Sequence, residues 1–386
     1  MLTNAHKREP IASDESPRVE FSRVATVTIL IPTFQEEKFI RACLESVRSF
    51  EDPGGSLIEV LVLDGMSTDG TRDIVKEFIG MDSRIDLIDN PRRIQSTGLN
   101  AGIRRASGDL ILRLDGHSQY PSNYLRVALE TSLRTNADNV GGVVVAIPRD
   151  EGYPAALVQA LTTHAFGVGN SGFRTGAREG QTDTVPYGCF RRDLFDRVGL
   201  FDERLVRAQD YEMNRRIAAA GGMVWLNPAM RVSYFNQPDL KSFLRKQALS
   251  EAPYNAYMWY LAPYSFALRH AVTAVFSLGV LLGLVALWLA PSLGSVFLVS
   301  MAVYGVLAVF AATQQAYRYR RPLHVLAAPF AFFLYHFLHG AGVLYGLASI
   351  ALRRSPVQRV REPWPGAQRF RAWPPPEPLR STGVAA

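Results

Sequence analysis

Over its first 150 residues the chain alternates short apolar runs with stretches of helical period, a pattern that predicts a mostly parallel sheet with crossover helices. Residues 24–34 read as a first strand, followed by a helix through Phe50. Residues 58–64 form a second strand, with a helix from about Thr68. A short third strand, 85–88, leads into a helix over 97–106. Residues 109–115 are a fourth strand, with a helix over 122–135, and 140–147 a fifth strand. Ligands of such an α/β half belong at the carboxyl ends of its strands. Beyond Pro148 the regularity weakens. The run Gly167-Val168-Gly169-Asn170-Ser171-Gly172, followed by Arg174 and Arg178, reads as a loop. Residues 184–190 suit a strand, and 207–220 a helix ended by Gly221-Gly222.

The pattern then changes character. Residues 239–249 set Leu240, Phe243, Leu244 and Leu249 against Lys241, Arg245 and Lys246, a basic amphipathic helix suited to a membrane interface. Residues 271–317 contain no Asp, Glu, Lys or Arg, enough for two crossings with Pro291-Ser292 at the turn. Arg318, Arg320 and Arg321 then mark a cytoplasmic loop. The uncharged stretch 322–352 suits one tilted crossing, which would put the basic tail outside. A re-entrant hairpin around Gly340-Ala341-Gly342 reconciles its length with the positive-inside rule. The expected organisation is a polar extension (1–23), a catalytic domain (24–235), an interfacial segment (236–268), a membrane region of two to three crossings (269–352) and a basic tail (353–386).

Composition agrees. The 386 residues are 48% hydrophobic and 20% charged. The near-zero mean hydropathy of +0.02 averages a soluble part with a membranous one. The net charge of +7 resides mainly in the tail, where seven Arg face only Glu362 and Glu377. A basic segment beside apolar ones points to anionic membrane lipids. No Lys/Arg stripe interleaved with aromatics appears in the soluble half, so no nucleic acid is expected. Disorder, collagen-like repeats and a disulfide scaffold are excluded. Cys43 and Cys189 form no metal or redox spacing and read as buried, reduced thiols. The polar N-terminus lacks an apolar h-region, so no cleaved signal is expected and the soluble half belongs in the cytosol.

Four constellations follow predicted strands. Pro32, then Glu36 and Glu37, come after the first; a carboxylate there can accept from ribose or base donors. After the second, Asp64 precedes Ser67-Thr68-Asp69-Gly70, where it can accept from a base N–H while one of the three polar residues caps the next helix. After the fourth, Asp115-Gly116-His117 places a carboxylate and an imidazole around a small residue. Such a pair suits a divalent cation, with the imidazole shifting preference from Mg towards Mn. Finally, Gln209-Asp210-Tyr211-Glu212 opens a helix; an Asp there can deprotonate a hydroxyl within reach. Asp210 and Glu212 point to different helix faces and do not share one role.

Together, in this order, the four resemble the family 2 glycosyltransferases of GT-A fold, over about residues 24–235. The runs from Asn90-Pro91-Arg92-Arg93 to Ala106-Ser107-Gly108-Asp109, and Val185-Pro186-Tyr187-Gly188-Cys189-Phe190, resemble further segments of that family. The Asp-Gly-His and Gln-Asp-Tyr-Glu variants look closest to succinoglycan-type glucosyltransferases of bacterial exopolysaccharide synthesis. The resemblance implies that Pro32, Glu36, Asp64 and Asp115 hold a UDP-sugar, that Asp115 and His117 ligate Mn or Mg, and that Asp210 is the catalytic base. It makes Tyr187, Gly188 and Gln209 acceptor-side candidates. It implies an inverting, membrane-anchored enzyme that adds single sugars to a lipid-linked saccharide; the Q-x-x-R-W element of processive synthases is missing. A polyprenyl-phosphate sugar transferase and an inactive membrane scaffold are the alternatives. Oligomeric state is open.

Overall fold

The computed structural model describes residues 25–176 and 178–357. The polar extension 1–23 and most of the Arg-rich tail lie outside the described residues. Nine strands form one mixed sheet: β1 Val27–Thr33, β2 Leu57–Asp64, β3 Ile85–Asp89, β4 Leu110–Arg113, β5 Ser118–Gln119, β6 Asn139–Ile147, β7 Gly180–Gln181, β8 Cys189–Arg191 and β9 Val224–Phe235. Their order is β3-β2-β1-β4-β8-β6-β9-β5, with β7 also on β9. β1 to β4 pair in parallel, as the alternation of strands and helices predicts. β8 runs antiparallel between β4 and β6.

The central strands are apolar at nearly every position because both sheet faces are covered. In β1, Val27, Ile29 and Ile31 join Ile40, Leu44, Tyr124 and Leu125 in one core layer. Leu30 joins Leu99, Ile103, Met213 and Ile217 in the other. Alternate residues of a strand point to opposite faces, so one short segment supports two layers. Each fully buried Leu or Ile contributes about 1.5–3 kcal/mol.

Two elements are hidden in the sequence. The buried helix Tyr153–Thr162 falls where the apolar pattern loses its period. β9, the longest strand, carries Asn227-Pro228 in its middle, residues that usually signal a turn. The register of β6 on β9 shifts there, and a Cβ on Gly142 would stand 1.7 Å from the Met230 carbonyl oxygen. Only glycine permits that approach.

Asp239 caps the helix Leu240–Lys246, accepting from the Ser242 N–H at 2.8 Å. Phe243 and Leu244 are buried with Ala328, Ala331 and Phe332, so much of the predicted interfacial face is covered by the chain's own last helix. A π-helical turn, Gln247–Glu251, and the helix Ala252–Leu261 follow. Three helices, Leu268–Leu289, Pro291–Tyr319 and His324–Ala351, are long and apolar enough to cross a membrane. Pro291 opens the second of them, where its missing N–H costs nothing.

The expected hairpin at Gly340-Ala341-Gly342 does not form: helix His324–Ala351 runs through it unbroken. The small residues there serve close packing. A Cβ on Gly340 would stand 1.8 Å from the Thr273 carbonyl oxygen, and one on Gly342 2.3 Å from that of Ala248.

Candidate active site

Arg113, the last residue of β4, organises the strand ends although the motif reading assigned it nothing. Its buried guanidinium donates from Nη2 to Asp115 Oδ1 at 2.9 Å and from Nη1 to Asp210 Oδ2 at 2.8 Å. One cation thus joins two carboxylates contributed by separate elements. Burial alone would lower the Arg113 pKa, but the charges of Asp210 and Asp115 outweigh it and hold the group ionised. The sequence signal was present: an arginine at the end of the apolar run Leu110-Ile111-Leu112 must be paired if buried.

Asp210 lies in the first turn of helix Gln209–Ala219, where unpaired N–H groups favour an anion. Ala208, a non-glycine residue at φ +62°, turns the chain into that helix. Burial raises the Asp210 pKa above the ordinary carboxylate range; Arg113 offsets part of this and the charge of Asp115 adds to it. Oδ2 is held by Arg113, while Oδ1 is buried without a hydrogen-bond partner among the described residues. Glu212 faces elsewhere, as expected, in a buried ion pair with Arg216 at 2.5 Å and a short hydrogen bond from Tyr264.

Asp115 also accepts from Gln95 Nε2 at 3.3 Å, and its N–H donates to the Tyr120 hydroxyl at 2.7 Å. Across the cleft, His117 Nε2 lies 3.9 Å from Asp115 Oδ2, and His117 Nδ1 lies 3.1 Å from Glu36 Oε1. An ionised carboxylate only accepts, so the Glu36 contact places the proton on Nδ1 and leaves the Nε2 lone pair facing Asp115. Burial lowers the His117 pKa, but the Glu36 hydrogen bond and the charges of Asp115 and Glu36 raise it further than burial lowers it.

This pair fits a divalent cation. Asp115 Oδ2 and His117 Nε2 are separated as two ligands of one ion would be, and Glu36 supplies the outer carboxylate that orients a ligating imidazole. Among the described residues no group of three or more His, Cys, Asp and Glu could hold a metal ion. Asp115 and His117 would be the residues to hold such an ion, with substrate phosphate oxygens as the natural further ligands.

Sequence-predicted residues on the nucleotide side are placed differently from one another. Pro32 lies inside β1 opposite Leu63, with Thr33 ending the strand. Asp64 is fully buried and accepts from Ser67 N and Oγ at 2.9 and 2.6 Å and from Arg72 Nη1 at 2.7 Å. Ser67, Thr68 and Asp69 do not cap the next helix, whose N-cap is Gly70, but bind the loop after β1. Gln35, at φ +57°, donates its N–H to Ser67 Oγ, and its side chain pairs with Thr68; Glu37 N donates to Asp69 Oδ2. Asp69 also accepts from Thr71 N at 3.1 Å, but it precedes the N-cap Gly70, so the expected side-chain cap does not form. The loops after β1 and β2 are thereby latched together.

Tyr187, Gly188 and Gln209 do not form an open acceptor surface. Tyr187 and Gly188 both have positive φ, and the turn folds the Tyr187 ring inward, 5.3 Å beneath the Arg113 guanidinium. The Gly188 carbonyl accepts from Arg113 N at 2.9 Å. Gln209 is buried and donates to Gln95, which in turn holds Asp115. All three support the Arg113–Asp115 pair from below.

Comparison with known proteins finds similar chains. Residues 28–199 match Glycosyl transferase family 2. The chain is 33% identical over 218 residues, 55% of its length, to the succinoglycan biosynthesis protein ExoA of Rhizobium meliloti (strain 1021), of which the match spans 64%. It is 28% identical over 337 residues to the dolichyl N-acetyl-alpha-D-glucosaminyl phosphate 3-beta-D-2,3-diacetamido-2,3-dideoxy-beta-D-glucuronosyltransferase of Methanococcus voltae. That match covers 83% of this chain and 97% of the relative. Among solved structures, the mannosyltransferase PcManGT from Pyrobaculum calidifontis, in complex with GDP-Man and Mn2+, superposes with a TM-score of 0.53. Its identity is 20%, with coverage of 88% of this chain and 92% of that one. The fold is of the GT-A type.

Proposed function

Residues 28–199 are a domain of glycosyl transferase family 2, and from that premise we propose that the chain transfers a sugar, glucose, from a UDP-sugar to a hydroxyl of a lipid-linked saccharide, one sugar at a time with inversion. The observation that carries this reading is Asp210: one oxygen is fixed by Arg113, the other is buried and unpartnered, and the same arginine holds Asp115. That is the arrangement a base needs beside a diphosphate site.

In this reading Pro32, Glu36 and Asp64 shape the nucleoside side, Asp64 by holding its loop through Ser67 and Arg72. Asp115 and His117 ligate Mn or Mg, which when bound neutralises charge on the departing diphosphate. Asp210 Oδ1 takes the proton of the acceptor hydroxyl as its oxygen bonds to the anomeric carbon. The bond from that carbon to the donor's phosphate oxygen breaks and the nucleoside diphosphate leaves. One displacement from the opposite face inverts the anomeric centre, whereas retention by double displacement needs a second, nucleophilic carboxylate. Arg113 keeps Asp210 ionised before transfer, and its burial excludes water from the pair.

The three long helices support a multi-pass anchor in the cell membrane with the catalytic domain cytoplasmic, where nucleotide sugars are made. The name of one relative, in succinoglycan biosynthesis, supports a polysaccharide product, and that of the other, acting on a dolichyl-phosphate saccharide, supports a lipid-borne acceptor. A donor screen tests the reading. Nucleotide release from UDP-glucose, UDP-galactose, UDP-GlcNAc and GDP-mannose is measured on detergent-purified protein with Mn, with Mg and with chelator. Turnover of UDP-glucose that chelator abolishes is expected. Preference for GDP-mannose, or turnover indifferent to chelator, rejects the donor or the metal assignment respectively.

A further inference from the structure

Charged side chains gather at one more place, between the reaction centre and the long apolar helices. Lys246 ends its helix, and the π-helical turn Gln247–Glu251 follows before α-helix resumes at Ala252. Single π turns within α-helices concentrate at functional sites. Across this turn Lys246 Nζ lies 3.6 Å from Glu251 Oε1. Arg207 Nε lies 4.0 Å from the same oxygen and donates to Ser250 Oγ at 3.3 Å. Two cations share one carboxylate, with a hydroxyl beside them. The charge of Arg207 also reaches the phenol of Tyr254.

This cluster adjoins Asp210 along the chain. Arg207 is joined to Asp210 through the left-handed Ala208. One exposed apolar side chain stands at the same turn. Leu249 is 70% exposed, and the following helix buries Ala252 and Ala256 with Val343 of the last long helix.

We propose that Lys246, Arg207 and Ser250 bind the diphosphate of an isoprenoid lipid, whose chain leaves along Leu249 towards the apolar helices. This rests on the lipid-linked acceptor reading above and gives it a binding site. The ligand's phosphate oxygens replace Glu251 as the partner of both cations. Arg and Lys are the side chains that make strong charge-assisted bonds to phosphate. A diphosphate here could be lipid-borne or belong to the nucleotide donor, and the test separates the two.

The full chain in detergent is titrated with farnesyl diphosphate, farnesol, inorganic pyrophosphate and, with Mn, UDP. Farnesyl diphosphate is expected to bind at least about tenfold more tightly than farnesol or pyrophosphate. Lys246→Gln and Arg207→Gln should each weaken it about tenfold, the effect of one charge-assisted bond, and leave UDP affinity unchanged. Glu251→Gln should tighten it about threefold by freeing both cations. A gain of affinity cannot come from misfolding. Equal farnesyl diphosphate affinity in all variants overturns the proposal, as does pyrophosphate binding as tightly as the lipid. A parallel loss of UDP affinity overturns it too, by assigning the cations to the donor. Failure of the unmodified chain to bind UDP rejects the underlying glycosyl-transfer reading. UDP binding without farnesyl diphosphate binding rejects this site alone.

Discussion

The two sides of the cleft are built in different ways. On the nucleotide side, the loops after β1 and β2 lie on adjacent parallel strands and hold each other through Gln35, Ser67, Thr68 and Asp69. On the opposite side, Arg207 comes from the loop before helix Gln209–Ala219, and Asp210, Lys246 and Glu251 come from helical turns after it, the later of which pack against the last long apolar helix. The first side is a property of the sheet. The second depends on how helices of the catalytic domain sit against the membrane-type bundle. Donor binding and acceptor handling should therefore be separable by mutation, and Arg113, which bridges the sides, should be where they fail together.

Asp210→Asn tests the separation most severely. Transfer should fall about 10³-fold, the scale of a lost general base, while UDP affinity with Mn stays within about twofold. Calorimetry beside a transfer assay reads both, and an equal fall in each would put Asp210 on the donor side. Retained transfer would instead favour a phosphate acceptor, which needs no strong base.

Arg113→Met should damage both sides at once. Two carboxylates lose a buried partner, at a cost of about 3 kcal/mol read from thermal or denaturant unfolding. The sign of its pH effect is also determined. Asp210 must be ionised to act, and its pKa is already raised, so activity falls as pH drops through a value above the ordinary aspartate range. Removing Arg113 removes the influence that lowers that pKa, so the acid limb of the kcat/KM profile should move to higher pH. A limb that stays in place would separate Asp210 from the rate.

Glu36→Gln sharpens the donor side. An amide can present its NH2 to His117 Nδ1, which no longer fixes the proton there, and Mn affinity measured by paramagnetic resonance should fall about thirtyfold. Unchanged affinity would return Glu36 to the nucleoside role alone. The smallest effect is expected from Gly340→Val. It overpacks the contact with Thr273, at about 1–3 kcal/mol, and should raise the acceptor KM about fivefold without altering UDP affinity. A change in UDP affinity would show the two sides to be less independent than their construction suggests.

Much of the site was legible because strand ends are local features. Asp64, Asp115 and His117 follow apolar runs directly, and Asp210 opens a helix whose Gly-Gly end is plain in the chain. The partnerships were not legible. The Glu36–His117 contact spans 81 positions and the Arg113–Asp210 contact 97, and neither residue's neighbours announce the pairing. The family resemblance made Tyr187 an acceptor-side candidate, and its left-handed backbone turns its ring under Arg113 instead. Gly340 and Gly342 looked like a turn, because a sequence cannot distinguish a glycine that bends a chain from one that lets another helix approach.

From its sequence alone this protein had a parallel α/β half, a membrane-type half, and the order of carboxylates along the first. Those follow from hydrophobic periodicity and composition, which are properties of contiguous residues. Which carboxylate is clamped, which oxygen stays free, which way the histidine points and how Lys246 and Arg207 come to share Glu251 were decided by tertiary packing. Buried charges take the partners that the packed backbone brings within about 3 Å. That proximity is not written in any single stretch of the chain.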